Sequence, residues 1–206
     1  MDFESIMNMP FIWQNIVSAI EEGREWGEIF LNDSSWSGDK EQMLNHAIYE
    51  STLWSVGNGI ASGVVGVAGI PFEIVSTLYA QVKLASTLFA IHEIDTYSES
   101  ARLLVLAAAA GVSVSELANQ LGTQVGTQVG SQAIQKALMS IPGKTFAEIN
   151  KALGIKLISK AGEKTLVNIA TMMPFIGSAI GGTVNGVIMN ACGHSVIAFI
   201  KVWNRS

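Results

Sequence analysis

Two long stretches of this 206-residue chain contain no charged residue, and they constrain the possible folds more than any other feature. The first covers residues 51–72, the second covers residues 165–200, and glycines recur through both. Such stretches are typical either of a buried core or of contact with a membrane. Polar residues, glycines and Pro174 interrupt them, which argues against simple lipid-facing spans. A compact helical domain with glycine-lined packing is therefore the leading interpretation, ahead of reversible membrane attachment and of true insertion into the bilayer.

Hydrophobic periodicity predicts an all-α protein, a compact bundle of about seven helices in which several are glycine-rich and closely packed. The spacing of apolar residues predicts that the chain begins with a helix and a polar turn, followed by a second helix over Lys40 to Trp54. Pro71 suits the first turn of a long apolar helix that should be buried. Ser113 and Glu116 have the spacing of a capping box.

Five glycines are predicted to lie where helices pack closely. Three of them recur every four residues within a short repeat, and two lie in the second uncharged stretch: Gly122, Gly126, Gly130, Gly177 and Gly181. On a helix, small residues at this spacing form one smooth stripe that a second backbone can approach.

The distribution of charge divides the chain into an acidic front and a weakly basic remainder. Residues 1–50 hold ten acidic and two basic residues, whereas residues 51–206 hold seven acidic and ten basic residues. We therefore predict an acidic N-terminal helical extension over residues 1–49 and a helical domain over residues 50–206. A net charge of −5 argues against nucleic acid as a partner, and 49% hydrophobic residues argue against a disordered chain.

The sequence predicts a reducing, cytoplasmic environment. Cys192 is the single cysteine, and neither a secretory signal nor a lipidation pattern is visible. Peripheral attachment to the inner face of the membrane is compatible with this location.

No motif in the sequence carries a recognisable reaction, so we predict no catalytic residue, no cofactor and no metal. Gly143-Lys144-Thr145 resembles the end of a phosphate-binding loop, but Leu138 occupies the position of the required upstream glycine. The one candidate polar pocket combines an imidazole, a carboxylate and a guanidinium: His92, Asp95 and Arg102.

Two groups of residues are candidate binding surfaces. Lysines at four-residue spacing could contact an anionic lipid or an acidic partner: Lys156, Lys160 and Lys164. Tryptophans interleaved with acidic residues could form an interface for a basic protein partner: Trp13, Trp26 and Trp36.

Residues 50–203 resemble proteins of the EcsC family. The resemblance rests on ASGVVGVAGIPFEIVSTLYAQVKLASTLFAIHEID, on IPGKTFAEINKALGIKLISKAGEKT and on MMPFIGSAIGGTVNGVIMNACGHSVIAFIKVW. It implies a largely α-helical, bacterial, cytoplasmic protein with membrane association, and it carries no reaction with it. One departure is that His92-Glu93-Ile94-Asp95 stands where the family often has Tyr-Gly-Tyr-Asp.

The sequence is compatible with three functions. The first is a non-enzymatic peripheral membrane or lipid-associated protein of the EcsC family. The second is a soluble protein-binding module, an adaptor or immunity-type protein that uses the acidic aromatic N-terminal region. The third is an enzyme of unknown reaction. The oligomeric state is not predicted.

Overall fold

The computed structural model describes residues 10–65, 70–121, 131–140, 142–145, 147–156 and 177–205, and the structural statements below concern these residues. The α-helices in chain order are α1 (Pro10–Asn32), α2 (Lys40–Val65), α3 (Ile70–Ile91), α4 (Glu99–Ala109), α5 (Val114–Gln120), α6 (Ser131–Ser140) and α7 (Gly177–Arg205). A 3₁₀ helix, Ser34–Trp36, connects α1 to α2, and residues 143–145 and 147–156 are also helical. No strand occurs in this described part of the chain, and the predicted all-α fold is confirmed.

Side-chain caps define where several helices begin. Asp39 Oδ1 accepts a hydrogen bond from the Gln42 amide at 3.0 Å at the start of α2. Ser113 Oγ accepts one from the Glu116 amide at 3.1 Å at the start of α5. Each such cap stabilises a helix by about 1 kcal/mol, since it satisfies an amide that has no partner within the helix. The serine half of the predicted capping box at Ser113 is thus confirmed.

Helix α2 continues beyond Trp54, where the sequence predicted its end, to Val65. It passes through Gly57, Gly59 and Gly63, although each glycine inside a helix costs about 1 kcal/mol relative to alanine. Helix α2 packs along α7 and against α3, and tertiary packing of this kind supplies most of the stability of a helix in a folded protein.

Helix α3 is the centre of the fold, and it is buried, as its apolar sequence predicted. It packs against α1, α2, α4 and α7. Leu78, Leu88 and Phe89 are among its fully buried residues. The Ser86 hydroxyl donates a hydrogen bond to the carbonyl oxygen of Ile20 at 2.6 Å, so even its buried polar groups tie it to a neighbouring helix.

Glycines allow close approach at two helix pairs. Gly23 and Gly27 of α1 face α3, and a Cβ on Gly27 would lie 2.5 Å from the Cβ of Ala90. Gly186 and Gly193 of α7 face α2. Of the glycines that the sequence predicted to pack closely, Gly122, Gly126 and Gly130 lie outside the described residues. Gly177 and Gly181 lie in α7, and what surrounds them is likewise outside the described part.

The acidic N-terminal region shares one core with the rest of the chain. Ile12, Ile16 and Ile20 of α1 belong to the same buried cluster as residues of α3, α4 and α7. The predicted division at residues 49 and 50 falls inside α2 and remains a prediction about the extent of the family match.

Within the described ranges, two helical segments are long and apolar enough, by length and composition, to cross a membrane. They are Ile74–Ile91 in α3 and Asn185–Asn204 in α7. The α3 segment is 78% buried inside the protein, as expected of the central helix of a globular core. The α7 segment is only 44% buried, because one of its faces packs on the core and the other does not.

Candidate functional site

A concave groove of about 870 Å³ lies where α1, α2 and α3 meet, and we call it the acidic groove. Its size is within the range of about 300–1,000 Å³ that is common for ligand sites. It is lined by α1 residues Glu22, Glu25, Trp26 and Ile29, by α2 residues Glu50, Ser51, Leu53 and Trp54, and by α3 residues Tyr79, Ala80 and Lys83. Neighbours three or four positions apart on each helix share one face, so three helix faces build the groove.

The apolar part of the groove is open to solvent. Ile29 is 63% exposed, Leu53 is 53% exposed and Trp54 is 50% exposed. Trp26 is partly buried, packs against the core and lies 5.5 Å from Phe30 between ring centroids. Large apolar side chains that are left half exposed around one concavity are typical of an interaction site, since covering them removes apolar surface from water.

One carboxylate of the groove is already neutralised. Glu22 Oε2 accepts a hydrogen bond from Lys83 Nζ at 3.0 Å. A hydrogen bond from Tyr79 and the nearby Lys83 ammonium hold the pKa of Glu22 below its usual range. Burial, together with the Glu22 carboxylate, raises the pKa of Tyr79, so its hydroxyl stays protonated and acts as a donor. The three side chains therefore form a closed polar cluster at one side of the groove.

Two other carboxylates, Glu25 and Glu50, line the open part of the groove. Glu25 is exposed and has no hydrogen-bond or ion-pair partner among the described residues. Glu50 Oε1 lies 3.0 Å from His46 Nε2, one turn away on the same helix. The open part of the groove thus combines an apolar surface with an acidic rim, which is a binding surface for cationic amphipathic groups.

The three predicted tryptophans have different environments. Trp26 lines the acidic groove. Trp36 packs edge-on against His46, with ring centroids 5.0 Å apart, and belongs to an aromatic cluster with His46 and Phe30. Trp13 packs against the core. Trp54 also lines the groove but is not among the tryptophans predicted from the sequence, although the pattern that places Trp26 four residues after Glu22 recurs at Glu50 and Trp54.

The candidate polar pocket is not assembled by a mutual contact of its three residues. His92 is half-buried, and its Nε2 atom has no hydrogen-bond partner in the described part of the chain. Asp95 is exposed and accepts a hydrogen bond from the Tyr97 amide at 2.8 Å. Arg102 lies 3.9 Å from Glu21 of α1. No hydrogen bond or ion pair joins any two of His92, Asp95 and Arg102 in the structure as described.

Only one of the three predicted contact lysines belongs to the described residues. Lys156 is exposed, and its Nζ donates a hydrogen bond to Glu116 Oε1 at 3.1 Å. Lys160 and Lys164 lie outside the described residues.

Helix α7 exposes one uncharged face along its second half. Residues three or four apart on this face are all exposed: Val187, Ala191, His194, Ala198 and Val202. We call them the outer α7 face. At 1.5 Å per residue they extend over about 22 Å. The whole helix contains no acidic residue, and the exposed Lys201 is next to Val202.

Among the described residues there is no group of three or more histidine, cysteine or acidic side chains that could hold a metal ion. No family model, curated protein or solved structure matches the chain. The resemblance to EcsC proteins therefore remains a prediction from the sequence.

Proposed function

We propose that this chain is a non-enzymatic, cytoplasmic helical protein of the EcsC type that attaches peripherally to an anionic membrane through the outer α7 face. The observation that carries the proposal is the exposure of that face on a helix that is otherwise built into the core. Met189, Val196 and Ile200 anchor the opposite side of α7, which fixes the helix in place.

The composition of the outer α7 face supports contact with lipid headgroups. Solvated protein surfaces usually carry charges on about 25–35% of their residues, whereas none of these five residues is acidic or a lysine or arginine. A helix that lies in the plane of the interface needs an apolar or neutral face towards the acyl chains and nearby basic residues for the headgroups. Lys201 supplies one such residue at the end of the face.

The charge of the molecule supports the orientation. Residues 51–206 are net basic, while ten of the seventeen acidic residues lie within residues 1–50. The predicted lysine set, Lys156, Lys160 and Lys164, would add attraction of about 1 kcal/mol for each lysine near an anionic surface. Lys156 contributes less while it pairs with Glu116.

Flotation with lipid vesicles tests the proposal. The protein should float with anionic vesicles and not with neutral ones. Raising the salt from about 0.1 M to about 1 M should reduce flotation, because the Debye length falls from about 10 Å to about 3 Å. The double variant Val187→Glu, Val202→Glu should stop flotation, because it places two carboxylates in the contact.

A matched double variant controls for net charge. Ile29→Glu with Leu53→Glu adds the same two charges at similarly exposed apolar side chains outside α7, and it should float like the parent. Equal flotation of the two double variants would show that the outer α7 face is not the contact. Reversing Lys156, Lys160 and Lys164 to glutamate tests the lysine set separately and should also abolish binding to anionic vesicles.

A further inference from the structure

We infer that the acidic groove is the docking site for a basic amphipathic helix of a partner protein. This inference concerns a different surface from the proposed membrane contact and does not depend on it. It rests on shape, apolar exposure and charge, which agree at one place in the fold.

The shape and the apolar surface of the groove fit a helix. Helix-in-groove recognition uses apolar side chains at positions i, i+3, i+4 and i+7, inserted between two or more helices of the receptor. The groove is formed by three helices, and Ile29, Leu53 and Trp54 present apolar surface to it at half exposure or more. Trp26 is already held by Phe30 and the core, so it offers a rigid aromatic wall. Aromatic side chains of this kind dominate the binding energy of many interfaces.

The charges of the groove select the sign of the partner. Glu22 is satisfied by Lys83 and Tyr79. Glu25 and the half-exposed Glu50, whose contact with His46 uses only Oε1, are left for intermolecular contacts. A helix with lysine or arginine beside its apolar stripe would place cations at these two carboxylates. The same two carboxylates would repel anionic lipid, nucleic acid and acidic peptides, because bringing like charges together at an interface is unfavourable.

Binding of a synthetic helix measures this recognition directly. The probe is a fluorescein-labelled peptide of about 15 leucine and lysine residues, with the leucines at i, i+3, i+4 and i+7. One control peptide has the same composition in scrambled order, and another has glutamate in place of lysine. The parent protein should raise the anisotropy of the first peptide only, with weaker binding at high salt. Equal binding of the scrambled peptide would overturn the proposal, since it would indicate charge attraction without helix recognition.

Two double variants of equal net charge test the acidic rim. Glu25→Gln with Glu50→Gln should weaken binding about tenfold, because both intermolecular charge pairs are lost. Glu41→Gln with Glu148→Gln removes two exposed carboxylates that do not line the groove and should change the affinity by less than about twofold. If both variants weaken binding equally, net charge alone attracts the peptide. If the first variant does not weaken binding, the acidic rim is not part of the interface. Either result contradicts the inference.

The apolar part is tested by Trp54→Ala, for which we expect a loss of about tenfold or more. Trp54 is half exposed, so the variant should keep the helical spectrum of the parent. If this variant fails to fold, the charge variants still decide the question.

The variant Val187→Glu, Val202→Glu should bind the peptide like the parent, so failure of the membrane proposal and failure of this inference give different results. Competition by a short cationic detergent as strong as that by unlabelled peptide would identify a small amphiphile as the ligand and overturn the assignment to a helix.

Discussion

At the scale of single residues, His92 shows how burial controls a charge in this fold. The residue follows α3, and its Nε2 atom is buried without a hydrogen-bond partner among the described residues. Burial lowers the pKa of His92 from its usual value of 6.5, and the positive charges of Lys40 and Lys201 lower it further. The fold therefore favours the neutral imidazole.

This effect makes stability depend on pH. As the pH falls below 6.5, the unfolded chain binds a proton at His92 that the folded protein still resists, so the free energy of unfolding decreases. The loss ends once the pH has passed the lowered pKa of the folded protein. Between about pH 7.5 and about pH 5.5, we expect the melting temperature of His92→Gln to fall less than that of the parent. Lys201→Gln should also reduce this fall in melting temperature, because it removes one positive charge that repels a protonated His92.

Thermal unfolding at both pH values, followed by circular dichroism, measures the difference. His46 and His194 remain in all three proteins, so the comparison isolates His92. An equal loss of stability in the parent and in His92→Gln would show that this imidazole does not cause the pH dependence.

At the scale of helices, the crossing of α1 and α3 depends on a missing side chain. A Cβ on Gly23 would collide with the carbonyl oxygen of Lys83 and lie 2.8 Å from the Cβ of Ser86. A backbone carbonyl within a helix cannot move away without disturbing α3. We expect Gly23→Ala to lower the free energy of unfolding by about 1–3 kcal/mol.

Gly143 provides the matched control, since it is also helical and an added Cβ would meet no atom within 4 Å. There alanine should be neutral, or stabilising by up to about 1 kcal/mol, because its helix propensity is higher. Urea unfolding compares the two variants. If Gly23→Ala is as stable as Gly143→Ala, the helices can separate without cost and the close crossing is not required.

The glycines also show what helix periodicity leaves open. The spacing of Gly23 and Gly27 is the same four-residue spacing that drew attention to Gly122, Gly126 and Gly130. Spacing shows that two glycines share a face, but not which neighbour that face meets. The rotation of α1 about its axis decides this, and the buried Ile12 and Ile16 fix that rotation through contacts that are distant in sequence.

At the scale of the whole molecule, α1 is required for the core although it carries many of the acidic residues. Ile12, Ile16, Ile20 and Phe30 are buried in the common cluster. Burial of each such side chain stabilises a fold by about 1.5–3 kcal/mol, so the four together contribute about as much as the 5–15 kcal/mol net stability of a typical domain. We therefore expect deletion of residues 1–38 to abolish cooperative thermal unfolding and to cause aggregation. Circular dichroism and size-exclusion chromatography measure these outcomes.

A charge variant separates packing from electrostatics in this experiment. The full chain with Glu21, Glu25 and Glu28 changed to glutamine loses three negative charges and keeps the buried face of α1. It should melt cooperatively, within a few degrees of the parent. A shortened chain that is monomeric and melts cooperatively would show that residues 1–38 are an independent extension after all.

The sequence by itself determined the all-α fold, the burial of the long apolar helix α3 and the cap at Ser113, because periodicity and capping are local properties. It also indicated the acidic, tryptophan-containing character of the first helix. Tertiary structure alone decided that Trp54 joins Trp26 in one groove and that Trp36 packs against His46. It also decided that Lys83 neutralises Glu22 across 61 positions. These outcomes depend on how helices far apart in sequence are rotated and paired, and that arrangement is set by the sum of many weak packing contacts rather than by any local pattern.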